Sequence, residues 1–165
     1  LPWFFESGVC RGRFSPRDGQ LYVCGLTGWQ TAAAKDGCLQ RVRYTGKPVN
    51  VPVGLKVKDN GIAITFNEPL DPKSAANPDN YFIEQWNYLY SKEYGSKDYS
   101  VENPKKFGRD EVFIDDATLS NGNRTVFLEL ESISPVMQMG ITDQLQSAAG
   151  EKLKSTIYNT INVVP

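Results

Sequence analysis

The sequence contains no histidine. This absence removes the commonest general base and the commonest zinc ligand, and with them any Ser-His-Asp or Cys-His relay and ordinary histidine-ligated haem. The net charge is only −1, from 18 basic and 19 acidic residues. That balance gives no support to bulk binding of nucleic acid or of an anionic membrane. No apolar run approaches the length of a membrane-spanning helix. The composition therefore favours a non-catalytic protein without a nucleic-acid partner, a membrane span or a cofactor.

Cysteine is scarce and confined to the first quarter of the chain. Cys10, Cys24 and Cys38 follow one another at intervals of 14 residues, which is neither a CxxC motif nor a zinc-binding pattern. Cys24 and Cys38 lie in two strand-like runs joined by a polar loop, where they could face each other. A disulfide between them is one interpretation, and three small buried side chains are the other.

A length of 165 residues corresponds to one domain, or to one domain plus a fragment. Residues 1–50 hold 7 basic and 3 acidic side chains, whereas residues 51–165 hold 11 and 16. The change in charge coincides with residues 47–52, which contain two prolines and have no helical period. Such a segment is typical of an extended linker. We therefore predict a β-segment over 1–47, a linker over 48–53 and a second domain over 54–165.

Both parts are predicted to be all-β, and the second to be a β-sandwich. Short alternating runs recur along the chain between Gly-, Asn- and Asp-containing turns, and no stretch keeps a helical period. One short helical turn is predicted at 71–76, where Asp71 can cap and Pro72 suits a first turn. The predicted strands are 21–24, 38–44, 55–58, 62–66, 80–86, 111–114, 124–130, 137–141 and 157–164.

Residues 12–47 resemble the closing blade of a β-propeller. The similarity lies in the run GRFSPRDGQLYV and in the string Arg41-Val42-Arg43-Tyr44-Thr45-Gly46-Lys47. It points to large secreted bacterial proteins of the membrane-bound dehydrogenase or quinoprotein sugar dehydrogenase-like type. In those proteins the catalytic groups lie on other blades, and a c-type haem domain would need a CxxCH motif that this chain lacks. The resemblance thus implies an exported protein and assigns catalysis to no residue here.

Residues 55–165 resemble a bacterial Ig-like domain of the kind found in surface-layer and adhesin proteins. The residues that carry the similarity are ITFNEPLD at 64–71, Asn80-Tyr81, ATLSNG at 117–122, Thr125-Val126 and GEKL at 150–153. Such domains do no chemistry. The resemblance implies a spacer, docking or recognition module, located in the periplasm, at the cell surface or outside the cell.

The unusual part of the predicted sandwich is a long aromatic connection within residues 84–110. Its candidate ligand or interface residues are Trp86, Tyr88, Tyr90, Tyr94 and Tyr99. Trp86, Tyr88 and Tyr90 have the same parity, so a strand would place them on one face. The segment is open to three interpretations: packing on the core, an interface with another domain or protein, or stacking on a glycan.

Three functions follow from these patterns. The first is a structural or interaction module, the second a carbohydrate-binding module that uses residues 86–99, and the third a fragment of a sugar dehydrogenase-like enzyme whose active site lies outside the chain. Met137 and Met139 are interpreted as core residues. A basic set is expected to pack on other blades or on the acidic sandwich, and consists of Arg11, Arg13, Arg41 and Arg43 with Trp3, Phe4, Phe5 and Trp29 near them in sequence.

Overall fold

The computed structural model describes residues 4–28 and 33–165, and it confirms the predicted all-β class. The chain divides into two compact units, Leu1–Pro48 and Val49–Pro165, which we call the three-strand unit and the sandwich. Val51 N–H donates to Asn67 Oδ1, and Asn67 Nδ2 donates to the carbonyl of Val49. These bonds attach part of the predicted linker to the sandwich, whose first strand begins at Pro52.

The three-strand unit is an antiparallel meander of β1 (Gly8–Phe14), β2 (Leu21–Leu26) and β3 (Gly37–Val42). Phe14, Leu21 and Val42 are cross-strand neighbours and give one face an apolar character. The other face is basic, because its cross-strand rows are Arg13-Tyr22-Arg41 and Arg11-Cys24-Leu39. Trp3 and Trp29, which the sequence places near this basic set, lie outside the described residues.

The structure agrees with neither interpretation of the cysteines, because all three are free thiols and Cys10 and Cys24 are exposed. In the β2–β3 pair, Cys24 lies opposite Leu39 and Cys38 lies opposite Gly25. Because adjacent residues of a strand point to opposite faces, this register places the two thiols on opposite faces of the sheet.

The sandwich contains the remaining elements. They are β4 (Pro52–Lys58), β5 (Gly61–Phe66), the helical turn α1 (Pro72–Ala75), a single 3-10 turn (Pro78–Asn80), β6 (Tyr81–Tyr88), β7 (Asp98–Tyr99), β8 (Asp110–Glu111), β9 (Ile114–Ser120), β10 (Thr125–Leu130), β11 (Val136–Gln146) and β12 (Lys152–Ile161). One sheet has the order β4-β5-β10-β9, and the other β12-β11-β6-β7, with β8 also paired to β6. All pairings are antiparallel. Counted over the long strands, this is the order of an immunoglobulin-type sandwich.

Alternating apolar residues of the two sheets form the core. Ile62 and Ile64 of β5, Val126 and Leu128 of β10, and Ile141 of β11 are fully buried. The predicted helical turn is present, and Asp71 Oδ1 accepts the Ser74 N–H at its start. The alternation of apolar and polar residues along the strands thus accounts for the buried core, and the Asp71 cap accounts for the helical turn.

Several predicted strands differ from the structure: β1 was not predicted, and the predicted last strand 157–164 is β12 (Lys152–Ile161). Residues 111–114 join the end of β8 to the start of β9, and the long strand continues to Ser120. A register shift between Glu129 and Leu130 of the partner strand breaks the alternation of β9, which conceals it in the sequence. Met139 is buried as predicted, whereas Met137 is half exposed, because the β11–β12 pairing shifts between Val136 and Met139.

Candidate functional site

The aromatic segment begins on β6, whose side chains alternate between two faces. Tyr81, Ile83 and Gln85 are buried toward the facing sheet. Trp86 and Tyr88 therefore belong to the opposite, outer face of their sheet. Trp86 and Tyr88 are two positions apart in the sequence, and the strand places both rings on one face of the sheet.

Trp86 is nevertheless only 3% exposed. The guanidinium carbon of Arg109 lies 3.7 Å from the centroid of its ring, and Tyr158 of β12 approaches edge-on at 6.3 Å between centroids. Gly140 on the neighbouring β11 leaves the room for these rings, since a Cβ there would come within 3.1 Å of Tyr158 and 3.6 Å of Trp86. Trp86 is thus packed on its own sheet, outside the inter-sheet core.

Arg109 is held over Trp86 by two carboxylates. Its Nε lies 2.7 Å from Asp98 Oδ2, and its Nη1 donates to Glu84 Oε1. Asp98 and Glu84 raise the pKa of Arg109, since both bond to its charged form. These bonds fasten β7 and the residues before β8 to β6, so Trp86 anchors the aromatic connection and is not available to a partner.

The other four aromatic residues do not form one flat platform. Tyr90 and Tyr94 are fully exposed and Tyr88 is partly exposed. Tyr99 pairs with Asn87 and so lies on the face opposite to Tyr88. Its ring packs edge-on against Phe107 at 5.0 Å. Glycan stacking by all five predicted residues on one surface is therefore not the arrangement that the structure shows.

Asp110 holds the chain that follows β7. Its Oδ2 accepts the Ser100 hydroxyl at 3.0 Å and the N–H groups of Val101 and Glu102 at 2.5 and 3.1 Å. Burial works to raise the pKa of Asp110, but the bonds from Ser100, Glu102 and Val101 outweigh it and lower the pKa. The aromatic connection is thus tied down at its base by one carboxylate.

A groove of about 460 Å³ opens at the end of the sandwich where β6 ends and β11 begins. Its walls include Tyr88, Leu89, Tyr99, Pro104 and Met137, so the lining is largely apolar. The Met137 N–H donates to Asn87 Oδ1 at 2.9 Å, which fixes the start of β11 against the end of β6. The groove and the exposed Tyr90 and Tyr94 are the parts of the predicted site that a partner can reach.

The cover on Trp86 can be tested by changing Arg109 to Gln in a chain whose other two tryptophans, Trp3 and Trp29, are phenylalanine. We expect the emission of Trp86 to shift to the red and its quenching by acrylamide to increase, with a loss of about 1–2 kcal/mol in the free energy of unfolding. Arg124→Gln is the matched control, because Arg124 is exposed and no bond of its side chain is found within the described residues. Unchanged quenching in Arg109→Gln would show that Arg109 does not shield the ring.

The remaining polar residues have structural roles and form no metal site within the described residues. Asn77 Oδ1 accepts the Asp79 N–H, which is turn chemistry. Within residues 4–28 and 33–165, no three or more Cys, Asp and Glu side chains are grouped as metal ligands. The helices in that part of the chain are all too short or too polar to cross a bilayer.

Sequence reasoning missed Arg109, Tyr158 and Gly140 as partners of Trp86. Arg109 lay within the segment already singled out, but no local spacing connects it to Trp86. Tyr158 and Gly140 become neighbours only through the register of β11 and β12, in which they are directly paired. A cross-strand register was therefore needed to find them.

No protein-family model matches the chain. No curated protein matches it either. A solved structure with similarity to the chain is the surface layer protein SbsC, domains 1–6, at 16% sequence identity and a TM-score of 0.44. The match covers 64% of this chain and 12% of that one. A similarity at this identity and TM-score supports no conclusion about the chain, so the fold is assigned from the strand order and the buried core of the sandwich. The resemblance to dehydrogenase propellers gains no support from a family match.

Proposed function

We propose that the chain is a non-catalytic interaction module of an exported multidomain protein, with the Ig-like sandwich as its spacer or docking domain. The observation that carries this proposal is the apolar face of the three-strand unit, on which Val9 and Phe14 are exposed in the part of the chain that the structure describes. Phe14 on that face is 74% exposed. Val23 is the only apolar side chain that is buried among the described residues of this unit.

A three-stranded sheet needs another surface to cover one face if it is to be stable. The apolar face here consists of Val9, Phe14, Leu21, Val23 and Val42. Exposed apolar patches of this kind mark interaction sites in soluble proteins. The partner proposed for it is another domain of the same protein or a second protein.

The sandwich supplies a second docking surface at its groove. Leu89 and Met137 line the groove and contribute partly exposed apolar surface. Tyr90 and Tyr94, which follow Leu89 closely in the sequence, are fully exposed. Tyrosine and methionine are enriched at protein interfaces because they offer contact area and adapt to a partner. A protein partner therefore suits this groove.

The docking proposal is tested by a photo-reactive benzoylphenylalanine in place of Phe14, in cells that produce the protein. We expect Phe14 to give crosslinks to protein, because its side chain is apolar and exposed. Phe113 is the control, since it is 60% exposed on the sandwich and belongs to neither proposed surface. Equal crosslinking from both positions would contradict docking through the three-strand unit.

The non-catalytic part of the proposal has its own test. The chain is incubated with a panel of sugars and an artificial electron acceptor, and no turnover is expected. Reduction of the acceptor by this chain alone, dependent on a sugar, would overturn it and favour the dehydrogenase hypothesis.

A further inference from the structure

The outer face of the sheet that contains β6, β11 and β12 carries a strip of mostly exposed side chains, which begins at the end of the sheet opposite the groove. Register and alternation place its members in cross-strand rows. From the end of the sandwich inward these rows are Gln146 and Lys152, then Gln144 and Lys154, then Thr142, Thr156 and Phe82, then Gly140, Tyr158 and Glu84. The strip thus runs from amides and cations through hydroxyls to aromatic rings.

The cationic end of the strip borders a depression of about 760 Å³ at the end of the sandwich, which Leu145 and Leu153 of the core face also line. Lys73, Lys152 and Lys154 all line it, with Gln144 and Gln146 on the sheet floor. The three lysines form no ion pair or side-chain hydrogen bond within the described chain. Asp71 is the acidic residue of the lining, and its Oδ1 already accepts the Ser74 N–H.

This positive patch lies on a part of the chain with 16 acidic and 11 basic residues. Three free cations gathered against that background attract an anionic ligand. The Coulomb attraction of exposed lysines is modest for one pair and grows when several act on one polyanion.

The aromatic end of the strip offers two exposed rings, of which Tyr158 is held in place by its neighbours. Tyr158 is 62% exposed and lies over Gly140, where a Cβ would meet its ring at 3.1 Å, and its edge-on contact with Trp86 holds it there. Phe82 is 46% exposed on β6. Tyr158 follows Lys154 by four residues, about 13 Å along the strand. A ligand that contacts both ends must therefore be an extended chain.

We propose that this strip binds an acidic polysaccharide, that is, a glycan chain whose sugars carry carboxylates. The rings of Tyr158 and Phe82 stack on the C–H faces of sugars, and the threonine hydroxyls and glutamine amides bond to sugar hydroxyls. Lys152 and Lys154, with Lys73, neutralise the carboxylates. A protein partner would want a more apolar centre, and the closely spaced phosphates of a nucleic acid would want more cations than three lysines supply. The groove proposed above as a docking surface lies where β11 begins and β12 ends. The lysines lie at the other end of both strands, so the two proposals are independent.

The test measures binding of three carboxylated glycans, polygalacturonate, alginate and hyaluronan, to the whole chain by calorimetry. Methyl-esterified polygalacturonate is the uncharged control, and polyglutamate is a polyanion without sugars. We expect at least one acidic glycan to bind about tenfold or more tightly than either control. Equal binding of polyglutamate, equal binding of the ester, or no binding of any acidic glycan would each overturn the proposal.

Variants locate the site. The double change Lys152→Gln/Lys154→Gln is expected to weaken binding about tenfold. The matched control is Lys56→Gln/Lys58→Gln, which removes the same charge at the same spacing from an edge strand of the other sheet, where both lysines are exposed. Phe82→Ala is expected to weaken binding while all the lysines remain. An equal loss in the control pair would show that only net charge matters and would overturn the site. Thermal unfolding of each variant shows whether it is folded.

Discussion

Replacing Gly61 with alanine is expected to lower the free energy of unfolding of the sandwich by about 3 kcal/mol or more. Gly61 is the first residue of β5 and pairs with both Lys58 and Glu129. A Cβ at this position would lie 2.1 Å from the carbonyl oxygen of Leu128 and 2.9 Å from the ring of Phe127. The ring can rotate away, but the carbonyl belongs to the backbone of a central strand.

The cost is large because relief of the clash must move β10 against two neighbours. β10 is paired with β5 on one side and β9 on the other, and Leu128 itself is fully buried. Interiors at native packing density cannot absorb such a shift locally. The pairing of β5 with β10 is therefore expected to weaken over its whole length.

Chemical denaturation followed by circular dichroism measures this effect. Gly54→Ala is the matched control, because a Cβ there would meet only the Thr65 side chain at 3.6 Å, an ordinary contact. Both glycines lie in neighbouring strands of the same sheet, so the change in strand propensity is alike. We expect Gly54→Ala to alter stability by less than about 0.5 kcal/mol. If the two variants were equally stable, the close approach of Gly61 to β10 would be wrong.

Strand alternation made much of the sandwich predictable. Ile62 and Ile64, and likewise Val126 and Leu128, lie two positions apart and are buried together, as the period of a half-buried strand requires. The strand β9 was less visible, because the register shift near Asp116 interrupts its period. Local period thus reveals regular strands and conceals those that contain a bulge.

The functional surfaces depend on register, which local pattern does not determine. Cys24 and Cys38 both fall within predicted strands, yet a one-residue difference in pairing separates them onto opposite faces. Trp86 and Tyr88 share a face as their spacing predicts, but the burial of Trp86 comes from Arg109 and Tyr158. Lys73 joins the lysines of β12 only in the folded chain. Such non-local contacts are the part of the site that the sequence could not show.

Changing Asp143 to Asn is expected to raise the free energy of unfolding of the sandwich at pH 7 by about 1–3 kcal/mol. Asp143 lies on the core face of β11 and is 1% exposed. Its cross-strand neighbours there are Tyr81 and Ser155, and no cation of the described chain forms an ion pair with it. A carboxylate buried in this way loses its hydration without gaining an opposite charge.

The direction follows from the pKa of Asp143. Burial raises this pKa, and the hydrogen bonds that its carboxylate accepts from the Ser155 hydroxyl and N–H offset only part of the effect. A raised pKa in the folded state means that the folded chain binds this proton more tightly than the unfolded chain does. Its contribution to stability is therefore complete below the unfolded value of about 3.9 and is lost as the pH rises through the higher folded value. At pH 7 the charged form is buried at a cost, which asparagine avoids while it keeps a carbonyl oxygen for the Ser155 N–H.

The measurement is urea unfolding of both proteins at several pH values between 4 and 7. The stability advantage of Asp143→Asn should shrink as the pH falls, because the wild-type carboxyl then becomes neutral as well. Asp110→Asn is the control of opposite sign, since the pKa of Asp110 is lowered and its carboxylate accepts three hydrogen bonds. That variant should lose about 1–2 kcal/mol at pH 7. If Asp143→Asn were instead less stable at pH 7, with a difference independent of pH, the buried carboxylate would be a stabilising group whose hydrogen bonds with Ser155 outweigh its desolvation.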